Sequence, residues 1–127
     1  MIAIYARQSV EKEDSISIES QIEMCTYEAR GEAFLVYKDK GFSGKNTNRP
    51  EFQRMMQDIK TGQKGITKVI VYKLDRISRR VSDFSWLMEL LKEYKCSFIS
   101  AKENFSLDTP AGRAMLYMTS TFAQMER

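Results

Sequence analysis

Short runs of β-forming apolar residues alternate along the whole chain with segments whose apolar residues recur every three or four positions, and that alternation is the strongest limit on its fold. Met1 to Ala6 reads as a first strand, ended by the polar stretch that begins at Arg7. Ser17 is placed to cap a helix that carries Ile18, Ile22, Cys25 and Ala29 on one face and ends near Gly31. Phe34 to Tyr37 reads as a second strand, and Lys38 to Arg49, with Gly41, Ser43 and Gly44, as a loop. Pro50 suits the first position of a helix, because its missing N–H would have no partner there. Phe52, Met55, Met56 and Ile59 then follow at helical spacing, and Gly62 and Gly65 close the segment. Lys68 to Leu74, with Val69, Ile70 and Val71 consecutive, predicts a strand buried on both faces. A third helix from about Ser82 to Tyr94 should bury Leu87, Leu90, Leu91 and Tyr94. Ser97 to Ala101 is a fourth strand, and Thr109 and Pro110 open a last helix as cap and first position. The order βαβαβαβα predicts an α/β domain, a mostly parallel β-sheet flanked by helices.

At 127 residues, with no repeat or linker, the chain fits one domain over 1–127, long enough to bury a core without disulfides or metals. No apolar run approaches the ~18 residues a membrane span needs, and the apolar start is too short before Arg7 for a signal peptide. A cytoplasmic protein without membrane contact is expected, and in that compartment Cys25 and Cys96 should be reduced, half-buried thiols. The chain has no histidine, which removes Ser-His-Asp and Cys-His catalysis, imidazole proton shuttling and histidine-ligated zinc. Two cysteines cannot build a four-thiolate site, so neither metal nor cofactor is expected. Charged chemistry must come from Arg, Lys, Asp, Glu and hydroxyls.

In a parallel sheet the functional groups gather at the carboxyl ends of the strands. Arg7 and Ser9 should follow the first strand, the glycine-containing loop the second, and Asp75, Arg76 and Arg79 the third. From Lys60 to Arg80 there are seven bases, Lys60, Lys64, Lys68, Lys73, Arg76, Arg79 and Arg80, against one acid, Asp75, although the whole chain carries only +3. A solvated positive face would accept lysine as readily as arginine. Arg76 and Arg79, with Arg7 and Arg49 from other strand ends, instead offer planar forks that bind phosphate oxygens through paired hydrogen bonds. Four converging guanidiniums would repel one another unless a polyanion lay between them. For Ser9 to attack phosphorus it must lose its proton while the phosphoryl charge is neutralised. Arginines meet the second need and cannot meet the first. Asp75 is the nearest candidate to accept or relay that proton, and orienting Arg76 is its other reading.

The last helix keeps a three-four apolar spacing through Met115, Met118, Phe122 and Met125 up to Arg127, with no Gly, Asn or Pro to end it. The expectation is a long C-terminal helix cut off at the chain end, within a longer protein. Its methionine-rich stripe fits either core packing or an adaptable seam for self-association.

Several pieces in order resemble the serine site-specific recombinases of the resolvase and invertase type. They are Tyr5-Ala6-Arg7-Gln8-Ser9, Ser20-Gln21, Gly41-Phe42-Ser43-Gly44 with Arg49-Pro50, and Lys73-Leu74-Asp75-Arg76-Ile77-Ser78-Arg79. Asp108-Thr109 with Gly112-Arg113, and Phe122-Ala123-Gln124-Met125-Glu126-Arg127, complete a resemblance that covers the chain from end to end. It implies a DNA recombinase whose serine attacks a phosphodiester, forming a 5′-phosphoserine and freeing a 3′-hydroxyl, followed by strand exchange and religation without metal or ATP. Carried over by position, Ser9 is the nucleophile, and Arg7, Arg76 and Arg79 hold and activate the scissile phosphate. Gln21, Arg49 and Asp75 match the supporting polar residues, and Lys73 and Arg80 are candidate contacts to the DNA backbone. The resemblance further implies double-stranded DNA as partner, a homodimer, and a tetramer in the synaptic complex. Lys73 to Arg79 and the final helix, with Met115, Met118, Phe122 and Met125, match the oligomer-building region.

Ser17-Ile18-Glu19-Ser20-Gln21 reads more like the large members, phage integrases and mobile-element transposases, than like small resolvases. Two departures stand out. Gln8 occupies a position that is usually apolar in the family, and the family's last helix continues past the position of Arg127 and is followed by DNA-binding domains. This chain by itself is therefore expected to recombine DNA poorly or not at all. The competing expectation is a non-catalytic α/β oligomerisation or regulatory module that binds DNA through its basic edge. A mononucleotide site is set aside, since Arg7-Gln8-Ser9-Val10 lacks the glycines of a phosphate loop.

Overall fold

The computed structural model describes residues 1–8, 16–40, 49–73, 81–102 and 105–106, with 81–85 and 105–106 described by backbone alone. They form β1 (Ile2–Gln8), α1 (Ile18–Ala29), β2 (Phe34–Lys40), α2 (Pro50–Thr61), β3 (Lys68–Val71), α3 (Val81–Glu93), β4 (Ser97–Ser100) and β5 (Phe105–Ser106). One sheet runs in the order β2-β1-β3-β4-β5. Its first four strands are parallel, with Ile2 opposite both Phe34 and Lys68, and Lys68 opposite Ser97. The two-residue β5 runs antiparallel to β4 and was not expected. The predicted mostly parallel sheet with flanking helices is what the chain forms. The glycine-containing stretch 41–48 and the expected last helix, with Met115, Met118, Phe122 and Met125, lie outside the described residues.

Alternation along the strands divides the core in two. Ala3 and Tyr5 of β1, Tyr37 of β2, Val69 and Val71 of β3 and Phe98 of β4 pack with Met55, Met56 and Ile59 of α2 and Leu87, Met88 and Leu91 of α3. Ile2, Ile4, Ile70 and Tyr72 face the other way and pack with Cys25 and Ala29 of α1. Val69, Ile70 and Val71 are at most 1% exposed, as a strand covered on both faces requires.

The helix signals are realised at their ends. Ser17 caps α1, its hydroxyl oxygen accepting the Ser20 N–H at 3.2 Å. Gly62 ends α2 at φ +71, a conformation glycine adopts without a Cβ clash. After α3, Lys95 N–H donates to the Lys92 carbonyl and Cys96 N–H to the Leu91 carbonyl, which places Lys95 in the left-handed region at φ 56.

Four expectations need correction. β1 continues through Arg7 to Gln8, and β2 continues to Lys40, because the two strands pair as far as Gln8 opposite Lys40. Arg7 is thus the penultimate residue of a strand and does not follow it. In α3, Met88 is buried and Tyr94 is 40% exposed, since Tyr94 sits where the chain leaves the helix. Cys25 and Cys96 are buried and not half-buried, at 0% and 5% exposed, and burial pushes both thiols up to about 12. Finally, the basic run does not sit on one edge. Lys60 lies in the last turn of α2, Lys64 in the turn entering β3 and Lys68 is the first residue of β3, whereas Lys73 lies past its other end.

Candidate active site

Arg7 is only 4% exposed although it lies one residue from the carboxyl end of β1. Pairing of β1 with β3 stops at Tyr5 opposite Val71, so the peptide groups of Arg7 need another partner. Gln21 provides it from the first turns of α1. Its Nε2 donates to the Arg7 carbonyl and to the Ile16 carbonyl, both at 3.0 Å, and its Oε1 accepts the Arg7 N–H at 3.3 Å. The Gln21 carboxamide, itself completely buried, extends the ladder by one peptide unit and ties the end of β1 to the entrance of α1. Ser9 is the second residue after the one held in this way.

On the other side of β1, Arg7 stands opposite Asp39 of β2. Asp39 is 2% exposed, and its carboxylate is used completely within the protein. One oxygen accepts the Glu51 N–H at 3.1 Å, and the other accepts the Phe52 N–H at 3.0 Å and the Tyr5 hydroxyl at 2.9 Å. Helix α2 needs this help. Its own cap position, Arg49, makes no side-chain cap bond, and Pro50 has no N–H to offer. A carboxylate at this helix start also meets the positive end of the helix dipole. Burial raises the Tyr5 phenol far above its usual range, opposed by Arg49, with the Asp39 charge adding to the rise. Tyr5 is therefore a fixed hydrogen-bond donor at neutral pH and no candidate for the base.

Arg49 leaves the start of α2 with its guanidinium 4.7 Å above the Phe52 ring, and Phe52 meets Tyr5 edge-on at 5.3 Å. Arg49 thus reaches the rim where Arg7 is buried, through the contacts of Phe52, Tyr5 and Asp39. Both arginines thus belong to the carboxyl end of the sheet, Arg7 held through its peptide groups by Gln21 and Arg49 through its guanidinium on the Phe52 ring. Of the remaining candidates, Lys73 lies just past β3 and is half-buried. Ser9, Asp75, Arg76, Arg79 and Arg80 lie outside the described residues.

Asp39 escaped the sequence reading, and Phe52 entered it only as part of the apolar face of α2. Asp39's hydrogen-bond partners are 12 and 13 residues later in the chain or on the neighbouring strand, so no local spacing announces it. A signal did exist in Arg49-Pro50, a helix start with no capping side chain of its own, which calls for an acceptor from elsewhere.

The family model described as Resolvase, N terminal domain, matches residues 2–127. A putative DNA recombinase of Bacillus subtilis is 33% identical over 129 aligned residues, which take in all of this chain and 25% of that protein. The transposon Tn917 resolvase of Enterococcus faecalis is 31% identical over the whole chain and 63% of its own length. The chain therefore spans between a quarter and two-thirds of these relatives. Among solved structures, the N-terminal catalytic domain of TP901-1 integrase superposes with a TM-score of 0.78 at 36% identity, over 99% of this chain and 95% of that one. A resolvase family site-specific recombinase from Streptococcus pneumoniae gives 0.76 at 29% identity, over 99% and 87%. A parallel sheet of this order, a buried arginine near the end of its interior strand β1 and a family match over nearly every residue agree: the chain belongs to the resolvase N-terminal domain family of serine recombinases.

Proposed function

We propose that residues 1–127 are the catalytic domain of a site-specific DNA recombinase in which Ser9 is the nucleophile. The observation that carries this reading is the clamp on Arg7, a buried arginine whose peptide groups are held by Gln21 two residues before Ser9. An attacking hydroxyl gains most from a backbone that cannot drift, since a small misplacement of a reacting group costs large factors in rate. In the proposed reaction the Ser9 oxygen bonds to phosphorus and gives up its proton. The bond from phosphorus to the 3′-oxygen breaks, and that oxygen leaves as a hydroxyl. Religation is the reverse, so neither ATP nor metal is required. Arg7 and Arg49, with Arg76 and Arg79, neutralise the phosphoryl oxygens, and Asp75 relays the proton or orients Arg76.

The partner on this reading is double-stranded DNA in the cytoplasm, bound by a homodimer that becomes a tetramer at synapsis. On the same reading the C-terminal sequence that carries Met115, Met118, Phe122 and Met125 supplies the self-association seam. Among the described residues no helix is long and apolar enough to cross a membrane. The test is a trapping reaction of a longer, DNA-binding form of the protein with duplex DNA that carries its recombination site. A covalent protein–DNA adduct is expected, and Ser9→Ala should abolish it. An adduct that survives Ser9→Ala would falsify the assignment, and DNA binding without any adduct would favour the non-catalytic module.

A further inference from the structure

Lys102 lies where the chain leaves β4, at the same rim as Arg7, and the proposed chemistry makes no use of it. Its backbone N–H donates to the Tyr72 carbonyl at 2.8 Å, while the preceding Ala101 N–H donates to the Val71 carbonyl at 2.9 Å. These bonds lock the start of the turn to the end of β3. The Lys102 side chain is exposed, and its ammonium sits 5.7 Å from the centre of the Tyr72 ring, which is itself 8% exposed. An aromatic face orients a cation without neutralising it. At the opposite end of the same rim, Lys40 closes β2 opposite Gln8 of β1 and is also exposed. Lys73 lies between the two, next to Tyr72.

Lys40, the end of β1, Lys73 and Lys102 follow the strand order β2-β1-β3-β4. Three strand spacings of ~4.8 Å make the row roughly 14 Å long. Along one DNA strand a phosphate recurs about every 3.4 Å of helix axis, so a row of this length laid along that axis covers about four phosphate steps. The described carboxylates beside the row are already engaged. Asp39 is taken by α2 and Tyr5, and Glu51 makes two bonds to Arg54 at 2.7 and 2.9 Å. We infer that Lys102 and Lys40 are backbone-binding residues that extend the proposed phosphate site along the DNA to both sides of the end of β1, with Lys102 pre-oriented by Tyr72. The inference rests on the reading of this rim as the DNA-facing one.

The test separates the row from the chemistry. Binding of the 127-residue chain carrying Ser9→Ala to a random-sequence duplex of about 30 base pairs is followed by fluorescence anisotropy across salt concentrations. Adding Lys102→Ala should make the slope of log K against log salt shallower by about 0.9 and weaken binding equally on unrelated sequences. Lys102→Arg should restore the slope. Lys64→Ala removes the same charge from an exposed position near the other rim and should leave the slope unchanged. Equal slopes for Lys102→Ala and Lys64→Ala, or no binding of this duplex by the parent chain, would overturn the inference. A slope change for Lys102→Ala, together with no adduct in a separate trapping reaction of the protein that keeps Ser9, would sustain the row and defeat the recombinase chemistry. An intact adduct with an unmoved slope would do the reverse.

Discussion

The two rims of the parallel sheet are made by the same strands and built in different ways. At the amino rim the chain turns through backbone bonds. Gly65 N–H donates to the Gly62 carbonyl, Thr67 N–H to Met1, and Ser97 N–H to Thr67, while Lys60, Lys64 and Lys95 stay in solvent. At the carboxyl rim the sheet buries an arginine, a glutamine and an aspartate, and each is committed to backbone or helix-end partners. Buried polar groups are costly unless fully bonded, so their concentration at one rim marks where geometry matters beyond stability. The opposite rim shows what the same topology needs merely to fold.

The sharpest way to break this contrast is to empty the Asp39 position. Asp39→Ala leaves the Glu51 and Phe52 N–H groups and the Tyr5 hydroxyl without their acceptor, and at ~1–3 kcal/mol for each buried unsatisfied group it should cost about 3 kcal/mol or more. Urea unfolding of Asp39→Ala against Lys64→Ala measures the difference, and Lys64→Ala should stay within about 0.5 kcal/mol of the parent. A similar midpoint for both would show that the buried network contributes nothing special.

A smaller effect of opposite sign is expected at the amino rim. Lys95 holds φ 56, a region that favours glycine, in a helix stop whose bonds are all made by backbone. Lys95→Gly should stabilise by about 0.5–1 kcal/mol, read as a rise in thermal midpoint, because no function has been built on this turn. A loss of stability there would mean that the lysine side chain does more than occupy solvent.

The smallest effect belongs to the surface of α2. The bidentate Arg54 guanidinium holds the Glu51 carboxyl below its ordinary value, so the pair's contribution is present above about pH 4.5 and is lost as pH falls through the lowered folded value. Glu51 and Arg54 side chains are 34% and 51% exposed, which limits the effect to about 0.5 kcal/mol at low salt. The parent's advantage over Glu51→Gln in urea should therefore shrink on acidification and in high salt. An advantage that persists unchanged at low pH would assign it to packing and not to charge.

Much of the fold was legible because its causes are local. Ser17 and Pro50 announce helix starts by what their own atoms can or cannot donate, and Val69, Ile70 and Val71 announce a doubly covered strand by being apolar on consecutive positions. The strand ends were misjudged for the converse reason. Arg7 and Asp39 look like solvent residues, and only their pairing across β1 and β2 and the arrival of Gln21 and the α2 amides make burial tolerable. Tyr94 fits the apolar spacing of its helix and lost its place because the chain turns away there.

Sequence alone determined the alternation of elements, the residue types available for chemistry once histidine is absent, and the motifs that identify the family. Tertiary structure decided which charges share a place. It sent Lys60, Lys64 and Lys68 to one rim and Lys73 to the other, although they are neighbours in the chain, because a strand crosses the whole sheet in a few residues. It also joined Gln21, Asp39 and Arg49 around the end of β1, since contacts between elements depend on sheet order and register, which no single segment encodes.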